Sequence, residues 1–359
     1  MKKFTIRGTQ PEDLSGVGRL SLLRGEDPEI KTEEQYIQWW NWLYKDNPHG
    51  ITNSLTGVDE VGNVQGHIGF VPYLYRIYDK KYLIGFIIQL MVSEEYNHTL
   101  LFPSIEIKLL KEYTKYGLNF ANGLVNRPHI IKAHCAIGYK ETGRIPVYVR
   151  PYCLEKLVEG YVPTKRIIVG FGRLAAPITN FILSLDLYSE TKNVDISRIV
   201  EFNDDFDVFN DKMKQYFPVT CERTTKILNW RYSAPNRKYY LFAAHVKGVL
   251  VGYMAVRRMG MRGFDVLTIV DLMFSPERKD IGRMLLHQAH RIALKMKVDM
   301  SVIIQNPSSP ILPVIKRSGF IRTPQTFAWL LHTPKNSSGE LLNTPFEKWY
   351  NSWFDHDYV

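Results

Sequence analysis

Two pentapeptides, Gln89-Leu90-Met91-Val92-Ser93 and Asp271-Leu272-Met273-Phe274-Ser275, share Leu-Met and Ser in the same register. Each is followed by apolar residues three and four apart, the spacing of one helix face. After the first come Ile105, Leu109, Leu110 and Tyr113; after the second come Met284, Leu285, Ala289, Ile292, Ala293 and Met296. Upstream of each lies a glycine turn joining two strand-like runs, Gly62-Asn63-Val64-Gln65-Gly66 and Gly248-Val249-Leu250-Val251-Gly252. Downstream of each lies a short apolar strand ending in Asn, Gly123-Leu124-Val125-Asn126 and Val302-Ile303-Ile304-Gln305-Asn306. A second helix then ends at Gly138-Tyr139 and at Gly319-Phe320, and a last strand closes the unit, Val147-Tyr148-Val149 and Phe327-Ala328-Trp329-Leu330-Leu331.

Repetition in a fixed order sets the architecture. The unit reads strand, hairpin, strand, strand, helix, strand, helix, strand, which predicts an α/β class with a mixed sheet flanked by helices in each half. The expected division is a first domain at 1–155, a linker at 156–196, a second domain at 197–335 and a tail at 336–359. The tail carries Phe346, Trp349, Tyr350, Trp353 and Phe354, and so many large apolar side chains are expected to pack on a domain. The length of 359 residues suits two domains better than one core.

Composition narrows the function classes. Apolar residues make up 45% and charged residues 23%, as in a globular protein. The basic N-terminus has no apolar run behind it and is not read as a secretory signal. The apolar stretch Ile167 to Leu187 is interrupted by Arg173, Pro177, Asn180 and Asp186, so it reads as a buried inter-domain segment or, alternatively, a surface-seeking amphipathic helix, not a bilayer span. Three cysteines, Cys135, Cys153 and Cys221, widely spaced and without CxxC, argue against a disulfide framework and a zinc site and suit a reducing cytoplasm. The formal charge of +10 favours anionic partners, among them CoA, nucleotide-sugars, acidic carrier proteins and anionic membrane surfaces. No dense Lys/Arg run or nucleic-acid motif accompanies it.

With Trp42 to Gly50, Gly123 to Asn126, Gly138-Tyr139, Pro146 to Pro151, Leu228 to Tyr232 with Pro235, Arg237 and Tyr239, and the tail from Trp349 to Asp357, the chain resembles the GNAT superfamily of CoA-dependent acetyltransferases. More narrowly it looks like tandem two-domain GNAT-like proteins associated with bacterial polysaccharide biosynthesis. The resemblance covers nearly the whole chain. It implies acyl transfer from acetyl-CoA or another acyl-CoA to an amine, with no metal. In that family a splayed strand holds the pantetheine arm and a glycine turn brings helix N–H groups to the pyrophosphate. The sequence departs from the turn pattern in both halves. In the second half, Glu277-Arg278-Lys279-Asp280-Ile281-Gly282-Arg283 keeps only Gly282; in the first, Tyr96 to Phe102 has no glycine.

The resemblance then implies a donor site in the second half, from Leu272, Met273, Phe274, Arg278, Lys279, Ile281, Gly282, Arg283 and Asn306. A bland reading gives Arg278, Lys279 and Arg283 to a solvated helix start. Asp271 stands where a family base is expected and is the candidate for taking the amine proton, against a structural pairing role. Gln89, its counterpart, cannot act as a base. Trp230, Arg231, Tyr232 and Arg237 are candidates for the acceptor site, the arginines for a phosphate, against packing and surface pairing. His287 and His290 share a helix face and read as packing or solvent-facing.

Three functions remain in view. The first is an acyl-CoA-dependent N-acyltransferase acting on a small amine, with an amino-sugar precursor suggested by the family association. The second is a FemAB-like transferase using an aminoacyl or acyl-carrier donor, which needs no pyrophosphate loop. The third is a non-catalytic binding protein on a decayed pair of domains.

Overall fold

The computed structural model describes residues 2–25, 27–50, 53–153, 193–334 and 341–355; the segment Ile167 to Leu187 and nearly all of the expected linker lie outside the described residues. Glycine and apolar periodicity place the elements. In the first stretch these are β1 (Thr5–Gly8), α1 (Leu14–Arg24), α2 (Glu33–Tyr44), β2 (Asn53–Val58), β3 (Val64–Ile77), β4 (Lys80–Val92), α3 (Leu101–Glu112), β5 (Phe120–Val125), α4 (Pro128–Ala136) and β6 (Lys140–Pro151). The second stretch holds β7 (Asp195–Ile199), α5 (Asp205–Met213), β8 (Val219–Cys221), α6 (Thr225–Tyr232), β9 (Tyr239–Val246), β10 (Val249–Met261), β11 (Phe264–Phe274), α7 (Lys279–Met296), β12 (Met300–Ile304), α8 (Leu312–Arg317) and β13 (Ile321–His332).

Local sequence explains several boundaries. Thr32 caps α2 by accepting the Gln35 N–H. Lys247 and Gly248 both take positive φ, 50° and 78°, as a tight two-residue hairpin between β9 and β10 requires. The α7 face expected from the periodicity is buried, from Ile281 through Met284, Leu285 and Ala289 to Ala293.

All thirteen strands join one sheet, in the order β1-β2-β3-β4-β5-β13-β6-β12-β11-β10-β9-β7, with β8 paired to β3. The units 1–155 and 197–335 therefore do not form separate sheets. The closing strand of each stretch is lodged in the other: β13 lies against β5 from Ala328↔Val125 to His332↔Ala121, and β6 lies against β12 from Met300↔Pro151 to Ile304↔Val147. Each exchanged strand satisfies backbone groups that β5 and β12 would otherwise expose at an edge.

Two places in this sheet are parallel, and both are brief. β4 runs beside β5 only over Ile84↔Phe120, Gly85↔Ala121 and Phe86↔Asn122, and β11 beside β12 only over Val266↔Met300, Leu267↔Ser301 and Thr268↔Val302. Beyond these pairs the strands part, leaving residues 87–92 of β4 and 269–274 of β11 with a neighbour on one side only. Side chains alternate across the first opening. Phe86, Ile88 and Met91 join the core of α1 and α2, while Ile87 and Val92 join that of α3 and α4.

Candidate active site at the first strand opening

The first opening exists because β4 bends. Between Gly69↔Ile88 and His67↔Met91, β4 sets Gln89 and Leu90 against the single residue Ile68, a bulge that increases local twist. Gln89 sits in the left-handed region, with φ 53°, where a non-glycine residue needs support. Two tyrosines of α2 supply it: the Gln89 amide donates to the Tyr36 hydroxyl at 2.8 Å, and the Tyr44 hydroxyl donates to the Gln89 carbonyl oxygen at 3.1 Å. The residue that sequence reasoning set aside as unable to act as a base is the one that holds the strand open.

A cavity of about 460 Å³ occupies this opening. It crosses the sheet. On the α3/α4 side it is bounded by Phe102, Ile130 and His134, and on the α1/α2 side by Arg24, Gly25, Asp27, Pro28 and Glu29; Ile87, Ile88, Leu124 and Phe327 line the passage. Trp353 of the tail and the β10–β11 hairpin, residues 259–262, complete the wall. Its size is that of a small-molecule site, with apolar walls and a few charged groups.

Charge is unevenly placed around it. Asp27 and Glu29, in the connection between α1 and α2, pair with Arg237 and Arg257 of the second stretch. Burial would raise the Tyr239 pKa, but the charges of Arg231, Arg237 and Arg257 bring it below the ordinary value. Arg24, Arg127 and Arg262 stand exposed at the rim. Apart from Arg231, Arg237 and Tyr239, none of these residues was singled out from sequence; the signals for the others were the Asn126 strand end and the chain's positive excess.

The second opening is closed. The tail crosses it: Tyr350 donates to the Leu272 carbonyl on one side, and Asn306 donates to the Phe346 carbonyl at 2.7 Å on the other. Asp271 is sealed, with 0% exposure. It accepts from Arg223 Nε at 2.7 Å, from Tyr253 and from Ser352 at 2.9 Å. Burial alone would lower the Arg223 pKa; Asp271 and Asp355 raise it well above the usual value. Asp271 is thus held in a buried network of donors, as the structural pairing reading expects.

The other second-half candidates are likewise engaged. Leu272, Met273, Phe274 and Ile281 are core residues. A Cβ on Gly282 would lie 2.2 Å from the Phe274 ring, so this glycine admits an aromatic side chain where an anion was expected. Arg278 is paired with Asp280 at 2.7 Å, while Lys279 and Arg283 are exposed at the start of α7. Trp230 stacks on Trp42, Arg231 donates to the Phe354 carbonyl, Tyr232 stacks on Phe202, and Arg237 binds Asp27. The structure thus brings Arg237 near the first-opening cavity through Asp27, engages Trp230, Arg231 and Tyr232 with neighbouring residues, and leaves Lys279 and Arg283 exposed. Among the described residues, no three His, Cys, Asp or Glu side chains are placed to hold a metal ion, and no helix is long and apolar enough to cross a membrane.

The overall fold is matched in known structures. A GCN5-related N-acetyltransferase from Anabaena variabilis superposes with a TM-score of 0.59 at 12% identity, covering 92% of this chain and 72% of that one. Saccharomyces cerevisiae N-myristoyltransferase with bound myristoyl-CoA and inhibitors gives 0.64 at 11% identity, covering 97% and 86%. The chain has a GNAT fold. A probable N-acyltransferase from Enterococcus faecalis gives 0.59 at 10% identity over 92% of this chain and 73% of that one. No protein-family model and no curated protein sequence matches the chain.

Proposed function

We propose that this protein is an acyl-CoA-dependent N-acyltransferase and that its donor site is the first opening. The observation that carries the proposal is the cavity passing through the sheet where β4 leaves β5. Backbone N–H groups on that free edge of β4 can hold a thioester carbonyl and the charge it develops. The donor enters from the α3/α4 side and the amine from the side of Asp27 and Glu29, where the arginine-paired carboxylates line the cavity. The GNAT-fold N-acetyl- and N-myristoyltransferases support this reaction class. We take the amine to be a small molecule such as an amino sugar, and the two stretches to be copies of one ancestral unit.

The FemAB-like reading is favoured by one feature. At the start of α3, Thr99 takes the Leu101 N–H at 3.2 Å and Pro103 has none to offer, so a pyrophosphate meets a depleted helix end. Unfolding of the wild type with excess acetyl-CoA or a long-chain acyl-CoA separates the two. Ligand at 100 times its dissociation constant adds about 2.7 kcal/mol. Leu124→Trp, which fills the opening, should abolish that gain; stabilisation that persists places the donor elsewhere, and none in the wild type favours a carrier-bound donor.

A further inference from the structure

A buried carboxylate–imidazole pair faces the cavity from its donor side. His134 of α4 lies 2.6 Å, through Nδ1, from an oxygen of Glu106 on α3, and the two residues are 3% and 0% exposed. His134 also lines the cavity. Its Nε2 has no hydrogen-bond partner among the described residues. The groups packed around the ring are Phe102 of α3, with ring centroids 6.3 Å apart, and Tyr139 beyond α4, at 5.2 Å. Glu106 is thus the one charged side chain among these neighbours, and it fixes the tautomer: Nδ1–H donates to the carboxylate and the Nε2 lone pair is left for the cavity.

His134 both links α3 to α4 through Glu106 and lines the cavity. We propose that His134, positioned by Glu106, exchanges a proton with the sulfur of CoA; this rests on the acyl-CoA reading of the first opening. The amine nitrogen attacks the thioester carbon, a C–N bond forms, and the carbonyl electron pair moves to oxygen. A proton from that nitrogen passes to His134 Nε2. The oxygen pair re-forms the carbonyl as the C–S bond breaks with its electrons on sulfur, and Nε2–H returns the proton to the thiolate. Amide and CoA thiol result, and the imidazole is neutral again. The Glu106 carboxylate stabilises the intermediate imidazolium, the role a carboxylate plays behind any catalytic histidine.

The product complex tests this without knowledge of the acceptor, because the thiol of bound CoA and the neutral imidazole should share a proton and populate a thiolate–imidazolium pair beside the neutral one. The ultraviolet absorbance of the thiolate is followed against pH with CoA bound to the full chain. At neutral pH the bound thiol is expected to be ionised about tenfold more than free CoA. His134→Gln should return it to the free value, and Glu106→Gln should reduce the excess. Desulfo-CoA should bind wild type and His134→Gln equally, a comparison a merely structural histidine fails if the variant loosens the site. Wild-type protein that binds CoA while its thiol titrates as in solution overturns the role of His134 and leaves the donor site standing. A shift retained in His134→Gln also overturns it. A wild type that binds neither CoA nor acetyl-CoA overturns both.

Discussion

Trp42 and Trp230 donate their indole N–H groups to each other's backbone carbonyls, at 2.8 and 2.9 Å, with rings stacked 4.9 Å apart. One lies in α2 and the other in α6, at related places in the two stretches. Trp42→Phe keeps most of the stacking and removes one hydrogen bond to the Trp230 carbonyl, which still accepts from Ser233, a loss of about 0.5–1.5 kcal/mol. Trp230→Phe, which takes the indole donor from the Trp42 carbonyl, should cost at least as much. The double variant should lose less than the sum, since the partners share one contact. Urea midpoints of the four proteins decide it.

Asp271→Asn should act on stability before activity. It takes a charge away from a fully buried Arg223, and breaking such a pair costs about 3–5 kcal/mol. Acyl-CoA binding by the folded fraction should be unchanged. A variant of native stability that binds donor but does not turn over would restore Asp271 as the base.

Gly282→Glu separates the two openings. The new side chain must displace the Phe274 ring, a clash expected to cost about 1–3 kcal/mol or more. The extra stability conferred by acyl-CoA should remain at its wild-type size, because the cavity lies elsewhere in the sheet. Loss of the ligand effect in this variant would put the donor beside α7.

Acid should weaken the fold through His67. Among the described residues neither ring nitrogen has a hydrogen-bond partner, and burial brings its pKa down to about 4. Below the ordinary histidine value the unfolded chain takes up a proton that the folded chain refuses, so stability falls with decreasing pH and the loss is complete near pH 4. For this one group the fall is roughly 3 kcal/mol. His49, also lowered to about 4 by burial, adds in the same direction. Unfolding measured at stepped pH should show a shallower slope in His67→Gln.

The element order was legible because it depends on local pattern. The helix faces at Ile105 and Met284 and the glycine turn at Gly248 carry their conformation in their own residues. The exchange of β6 and β13 was not, since Phe327 to Leu331 would suit either neighbour and pairing across the chain leaves no mark in one strand's alternation. The surroundings of the candidate site residues were hidden for a related reason. Asp271 looks like a base until Arg223 and Ser352 arrive from elsewhere in the chain, and Gly282 looks like a phosphate glycine until Phe274 covers it. Conversely, Gln89 gained its part only through Tyr36 and Tyr44.

The lodging of β13 between β5 and β6 has a consequence for biosynthesis. A ribosome delivers the first stretch well before Ile321 to His332 emerge, so the sheet stands for that interval with a gap where its partner belongs. An unpaired edge of this kind recruits strands from other nascent chains. Emergence of Ile321 to His332 closes the gap from within, so the interval before that strand arrives is the one in which the sheet is open to wrong partners.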